Sequence, residues 1–330
     1  MTNHRLLTVF SVLLLAMLAC ARGGTPTAAP APTIPPATRS FTPSPGNHST
    51  RTPAPLAMLP GVNPGLSRHA LSFGGIQRDY LLYVPASADL GKPAPLVFAF
   101  HGGTGNAENF MQTSGLNAVA DQHGFLVVYP NGTGRLGIDK LLTWNGGTCC
   151  GYAQTENIDD VGFVRSLLAS LRSLVSIDPR RIYASGFSNG AILAQRLACE
   201  ATDIFAAVAP VSGTLNFGPC TPDQPISLIE FHGTADPNIL YTGGYGPESI
   251  VRVNFSAVAD TLKFWSNFDG CGAPSRSAPM QTIQLDTWTG CSGGVSVELY
   301  TLEGGKHAWP VSPLAASQVI WEFFAAHPKP

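Results

Sequence analysis

Ser188 stands in Gly186-Phe187-Ser188-Asn189-Gly190, preceded by the apolar run Ile182-Tyr183-Ala184-Ser185 and followed by Ala191-Ile192-Leu193-Ala194-Gln195-Arg196-Leu197. That order predicts a strand, a sharp turn and a helix. The serine hydroxyl would sit exposed at the strand tip, and the flanking glycines would let neighbouring backbone pass without a Cβ clash. A serine hydroxyl is a poor nucleophile until a base takes its proton and a carboxylate orients that base. Two downstream residues have the required types, in the order Ser, Asp, His. Asp236 follows an apolar run (226–231) in His232-Gly233-Thr234-Ala235-Asp236-Pro237, and His307 follows another (295–302) in Glu303-Gly304-Gly305-Lys306-His307. Such a set would perform acyl transfer: Ser188 attacks a carbonyl carbon, His307 carries the proton and Asp236 holds the imidazolium.

Acyl transfer also needs two donors aimed where negative charge develops on the carbonyl oxygen. The amide of Asn189, at the positive end of the following helix, would be one. Gly103, in the loop His101-Gly102-Gly103-Thr104-Gly105-Asn106, is the choice for the other, with Thr104 second. His101 reads as a brace for that loop, His232 as a hydrogen-bonding member of the Asp236 loop and Asp160 as a helix cap. Asp223, Glu230 and Asp269 lack so clean a setting between strand and loop.

Elements must bring these residues together. Residues 67–73 and 77–85 alternate around Gly74-Gly75, which predicts an antiparallel hairpin at a sheet edge. Residues 95–100, 125–129, 205–211 and 226–231 are continuous apolar runs of the buried parallel type, and 282–288 and 295–302 read as further strands. Helical spacing occupies 107–122, 159–175, 253–268 and 311–326. The alternation predicts an α/β fold, a mainly parallel sheet with helices on both faces. The polar, glycine-rich stretch 131–157 is too long for an idle connection and is the expected wall of a binding site. With 330 residues, 44% hydrophobic and 12% charged, the chain is expected to form one large core, and a net charge of −2 with scattered Lys and Arg argues against a nucleic-acid partner.

Residues 1–20 read as an export signal: His4 and Arg5 lead into an apolar run (6–19) too short for a membrane span. Met17-Leu18-Ala19-Cys20 resembles the lipobox of bacterial lipoproteins, which makes Cys20 the expected lipidation site. Residues 21–64, rich in Pro, Thr and Ala, are expected to be a disordered tether, and 65–330 the catalytic domain. The protein is thus expected to be extracellular or at the cell surface, meeting membrane only through a lipid anchor.

Taken together, His101-Gly102-Gly103, Trp144-Asn145-Gly146-Gly147-Thr148-Cys149-Cys150-Gly151, Asn157-Ile158-Asp159-Asp160-Val161, the Ser188 and Asp236 motifs and Gly304-Gly305-Lys306-His307-Ala308-Trp309-Pro310 resemble the secreted polyhydroxybutyrate depolymerase and feruloyl esterase family of α/β-hydrolases. The resemblance covers about residues 68–326. It implies an α/β-hydrolase fold without a large lid domain, and a serine carboxylic-ester hydrolase that works through an acyl-enzyme. Its substrates would be feruloyl or acetyl esters of polysaccharide, or short hydroxyalkanoate polyesters. The family's nucleophile falls on Ser188, its acid on Asp236, its base on His307 and its oxyanion amides on Asn189 and Gly103. Trp144 resembles the family's aromatic wall residue, with a core Trp beneath the loop as the alternative, and Trp309 is expected to fix the His307 loop. The rival reading is a non-catalytic surface lipoprotein of the same fold that binds carbohydrate or protein.

Seven cysteines divide into Cys20 and six within the folded part, an even number suited to disulfides in an exported chain. Cys271 with Cys291 would tie a helix end to the last hairpin, and Cys199 with Cys220 would clamp the helix after Ser188. Cys149 and Cys150 remain, as an adjacent pair or as partners of others. With no zinc-ligand spacing and no dinucleotide glycine fingerprint, the expectation is a monomer without metal or cofactor, whose partner is its ester substrate.

Overall fold

The apolar run Ala94–Phe100 has no polar face, so it can only form a strand inside a sheet covered on both sides, and all seven residues are buried. The computed structural model describes residues 62–135 and 140–330; the expected leader, Cys20 and almost all of the tether lie outside the described residues. The strands are β1 (Gly65–Phe73), β2 (Ile76–Val84), β3 (Ala94–Phe100), β4 (Leu126–Pro130), β5 (Ile177–Phe187), β6 (Ala207–Val211), β7 (Ser227–Gly233), β8 (Ser275–Met280), β9 (Ile283–Trp288) and β10 (Val297–Leu302). They form one sheet in the order β1-β2-β4-β3-β5-β6-β7-β10-β9-β8. The strands from β4 to β10 in that order run parallel, and an antiparallel pair closes each edge.

Alternation along the strands sorts the core into two layers. Leu96, Phe98 and Phe100 of β3 face one way, under α4 (Asp160–Arg172), α5 (Asn189–Glu200) and α6 (Val258–Phe268). Val97 and Ala99 face the other way, under α1 (Ala107–Ser114), α2 (Leu116–His123) and α7 (Ala316–Ala326). Each fully buried Leu or Phe contributes about 1.5–3 kcal/mol, so burying both faces of the parallel strands is what drives the helices onto them.

Several elements differ from the sequence reading, among them a short helix, α3 (Gly151–Thr155), inside the glycine-rich stretch. The helix expected over 107–122 is two helices, because Gly115 takes φ 64° and ψ 15°, caps α1 through its amide to the Met111 carbonyl and starts α2 at a new angle. The helix expected from 253 begins at Val258, since Phe255 pairs with Gly244 as an isolated antiparallel bridge. The closing helix begins at Ala316, beyond Pro313, which disfavours helical backbone at the residue before it. Strand β8 has no apolar alternation, its six residues all being exposed, and periodicity gives no sign of it.

Candidate active site

Strand β5 delivers Ser188 at its C-terminal tip with φ 54° and ψ −118°, a conformation that costs a non-glycine residue about 1–3 kcal/mol. The flanking glycines make the turn possible. A Cβ on Gly186 would strike the Gly190 backbone, and one on Gly190 would strike the carbonyls of Phe100 and His101. The Ser188 amide donates to the Val211 carbonyl (2.9 Å), which ties the turn to β6.

The loops after β7 and β10 bring the other two residues to this edge. His307 Nε2 lies 2.9 Å from Ser188 Oγ, and His307 Nδ1 lies 2.7 Å from Asp236 Oδ2. The second carboxylate oxygen of Asp236 accepts the amides of Asn238 (2.8 Å) and Ile239 (2.9 Å). Burial pushes the Asp236 carboxyl up, but the hydrogen bond and charge of His307 and the two amides outweigh burial and hold it below the ordinary aspartate value. An ionised Asp236 keeps the proton on Nδ1 and leaves Nε2 free to accept the serine proton. The Phe187 ring lies 4.8 Å from the imidazole.

Beside Ser188 opens a cavity of about 240 Å³. Ile192, Ile239, Val251 and Phe255 give it an apolar side, and Gly102, Gly103, Thr104, Thr143 and Asn189 line it near the serine. Among the described residues, neither the Gly103 amide nor the Asn189 amide donates to a protein acceptor, whereas the Thr104 amide is taken by the Leu142 carbonyl at 2.8 Å. The stretch 131–157 contributes Thr143 and Cys150 to the wall. A second wall, residues 238–255 between β7 and α6, escaped the sequence reading. Its signal was the Gly243-Gly244 pair and Pro247, turn residues that mark a loop between the strand and the helix.

Two expectations need correction. Of the two readings of Trp144 the core one holds and the wall one does not: its side chain is fully buried, its indole N–H donates to the His101 carbonyl (3.0 Å), and its ring packs edge-on against Phe100. Its backbone matters more, since its N–H and C=O pair with the Asn189 side-chain amide at 2.7 and 2.9 Å and lock the loop to the start of α5. Asp160 is not the cap of α4. Asp159 fills that role by accepting the Gly162 amide (2.8 Å), and Asp160 is buried in an ion pair with Arg78 (2.6 Å) while accepting the Asn145 amide (2.7 Å). Arg78 also donates twice to the Asn131 carbonyl, at 3.2 and 2.9 Å, so this pair pins the start and the middle of the glycine-rich stretch.

His101 braces the loop after β3. Its Nδ1 donates to the Gly102 carbonyl (2.8 Å), and its Nε2 accepts the Gly132 amide (2.9 Å). Burial lowers its pKa to about 4, the Gly102 carbonyl opposing and Arg78 adding to the shift, so the ring is neutral at neutral pH. Trp309 packs edge-on against Phe110 and donates to Ser317 (3.1 Å), holding the segment after His307. Cysteines pair as 149 with 150, 199 with 220 and 271 with 291. Among the described residues no three His, Cys, Asp or Glu side chains gather as a metal site.

A mainly parallel sheet flanked by helices, with Ser, Asp and His meeting at the C-terminal ends of its strands, defines the α/β-hydrolase class. The sequence profile of the family described as esterase PHB depolymerase matches residues 78–232. Feruloyl esterase B of Piromyces equi is 32% identical over 241 residues, covering 70% of this chain but 42% of that protein, so the chain spans less than half of that relative. Feruloyl esterase C of Emericella nidulans is 30% identical over 289 residues, covering 83% of this chain and 94% of the relative. Acetyl xylan esterase from Aspergillus awamori shares the fold, with a TM-score of 0.58 at 16% identity over 78% of this chain and 99% of that one. The chain belongs to the esterase PHB depolymerase family.

Proposed function

We propose that the protein is an exported serine esterase whose triad is Ser188, His307 and Asp236. His307 Nε2 removes the serine proton as Oγ attacks the ester carbonyl, and the Gly103 and Asn189 amides receive the oxyanion. His307 returns the proton to the leaving alcohol. A water deprotonated by His307 then attacks the acyl-enzyme and releases the acid. The observation that carries this reading is the imidazole held between Ser188 (2.9 Å) and Asp236 (2.7 Å). The engaged Thr104 amide favours Gly103 as the second donor.

The acyl group we assign to the apolar side of the cavity is compact, a feruloyl, acetyl or short hydroxyalkanoyl unit. That side carries Ile192, Ile239, Val251 and Phe255, and two relatives are named feruloyl esterases. Export fits the apolar leader 1–20 and the three cysteine pairs; lipidation at Cys20 and a 21–64 tether would hold the 65–330 domain away from the membrane. Turnover of methyl ferulate, acetylated xylan and a short hydroxybutyrate polymer by the full chain and by Ser188→Ala tests the reading. Loss of all three activities in a folded variant supports it, and full activity of Ser188→Ala ends it. Incorporation of labelled fatty acid, abolished by Cys20→Ser, tests the anchor.

A further inference from the structure

Behind the Asp236 loop lies a second histidine, sealed from solvent. Glu230 and His232 project from β7 with no exposure. His232 Nε2 is 2.9 Å from the Ile239 carbonyl, and a carbonyl only accepts, so this nitrogen carries a proton. Gln195 of α5 donates its amide to Glu230 Oε2 (3.2 Å), its own oxygen being taken by the Trp265 indole N–H (2.6 Å). The remaining contact, Glu230 Oε1 to His232 Nδ1, spans 3.4 Å. A line of bonds therefore runs from the helix that begins beside Ser188 to Ile239, whose amide in turn binds Asp236 Oδ1 at 2.9 Å. The same His232 Nε2 lies 3.6 Å from the Asp236 oxygen that holds His307.

We infer that His232, oriented by Glu230 and Gln195, is a positioning residue that fixes Asp236 by clamping Ile239, and so couples the nucleophile's helix to the acid's loop. The inference rests on the proposed triad. A buried polar network is costly when half satisfied, so losing the His232 donor strands the Ile239 carbonyl and lets the loop turn away to find another partner. Asp236 then loses its aim at His307, and misplacement of a catalytic group by about 1 Å costs on the order of 10²-fold in rate.

The test compares three substitutions in the full chain with p-nitrophenyl acetate. His232→Phe removes the donor, and the expected result is kcat lower by roughly 10²-fold with KM little changed. His232→Gln places an amide N–H where Nε2 stood and restores most of kcat; His232→Asn is too short to reach Ile239 and does not. The downfield proton resonance of the His307–Asp236 hydrogen bond should broaden or move in the Phe and Asn variants and persist in the Gln variant. Trp265→Phe, at the outer end of the line, lowers the melting temperature and leaves kcat in place. Wild-type kcat in folded His232→Phe overturns the inference. If that variant does not fold, equal kcat in the Asn and Gln variants overturns it. If Ser188→Ala keeps activity, the triad reading itself has failed; if Ser188→Ala is inactive and the His232 series is flat, only the positioning role has.

Discussion

Two polar clusters lie on either side of the β5 tip, and they differ in how far water reaches them. On the β2 side, Arg78 and Asp160 have side-chain exposures of 2% and 0%, and the Phe163 ring lies 3.6 Å from the guanidinium. On the β7 and β10 side, Asp236 is sealed but His307 keeps 14% of its side chain exposed. The comparison separates two uses of charge. A sealed pair in which every side-chain nitrogen and carboxylate oxygen already has a partner is poorly placed to exchange protons with a substrate, so it holds the glycine-rich loop in place. In the proposed mechanism His307 must take and return a proton, and its ring, unlike the sealed pair, reaches the cavity.

The sharpest way to break this contrast is Ser188→Ala. It should lower kcat for p-nitrophenyl acetate on the order of 10⁴-fold or more while circular dichroism and the urea midpoint stay unchanged. Arg78→Met should do the reverse. It leaves Asp160 charged and unpaired, which costs about 3–5 kcal/mol in urea unfolding, and whatever protein remains folded should retain its KM. If Arg78→Met instead changed kcat at constant stability, the sealed cluster would have a chemical role.

Trp144→Phe sharpens the same division on a smaller scale. Losing the indole N–H to the His101 carbonyl should cost about 1–2 kcal/mol of stability with no change in KM for methyl ferulate. A KM raised severalfold at unchanged stability would return the ring to the cavity wall. An effect confined to one end of the pH range is expected at Asp269, buried at the end of α6 with one carboxylate oxygen lacking a partner. Burial raises its pKa to about 7 from an ordinary 3.8, the Ile226 amide only partly offsetting this. The unfolded chain releases this proton first, so the stability present below the ordinary value is lost as pH rises toward about 7. Asp269→Asn should match the wild-type melting temperature at pH 4 and exceed it at pH 8. A constant gap across that range would show that the carboxyl does not titrate there.

Much of this arrangement was legible in the chain itself. Apolar runs with no polar face can only be interior strands, and a serine between glycines at a strand-to-helix junction can only be a tight turn, so β3, β5, β7 and Ser188 followed from local pattern. The order of Ser188, Asp236 and His307 was legible for the same reason, each residue following its own strand. Tertiary structure alone decided the partners. Asp160 has a capping residue's place in the sequence, yet its charge is answered by Arg78, 82 positions away on strand β2. Trp144 resembles the family's wall residue, yet of the two readings open for it the core one holds, its indole N–H finding the His101 carbonyl beneath the loop. Periodicity records which face of an element avoids water. It does not record which distant side chain satisfies a buried charge or N–H, and that is settled only when the elements pack.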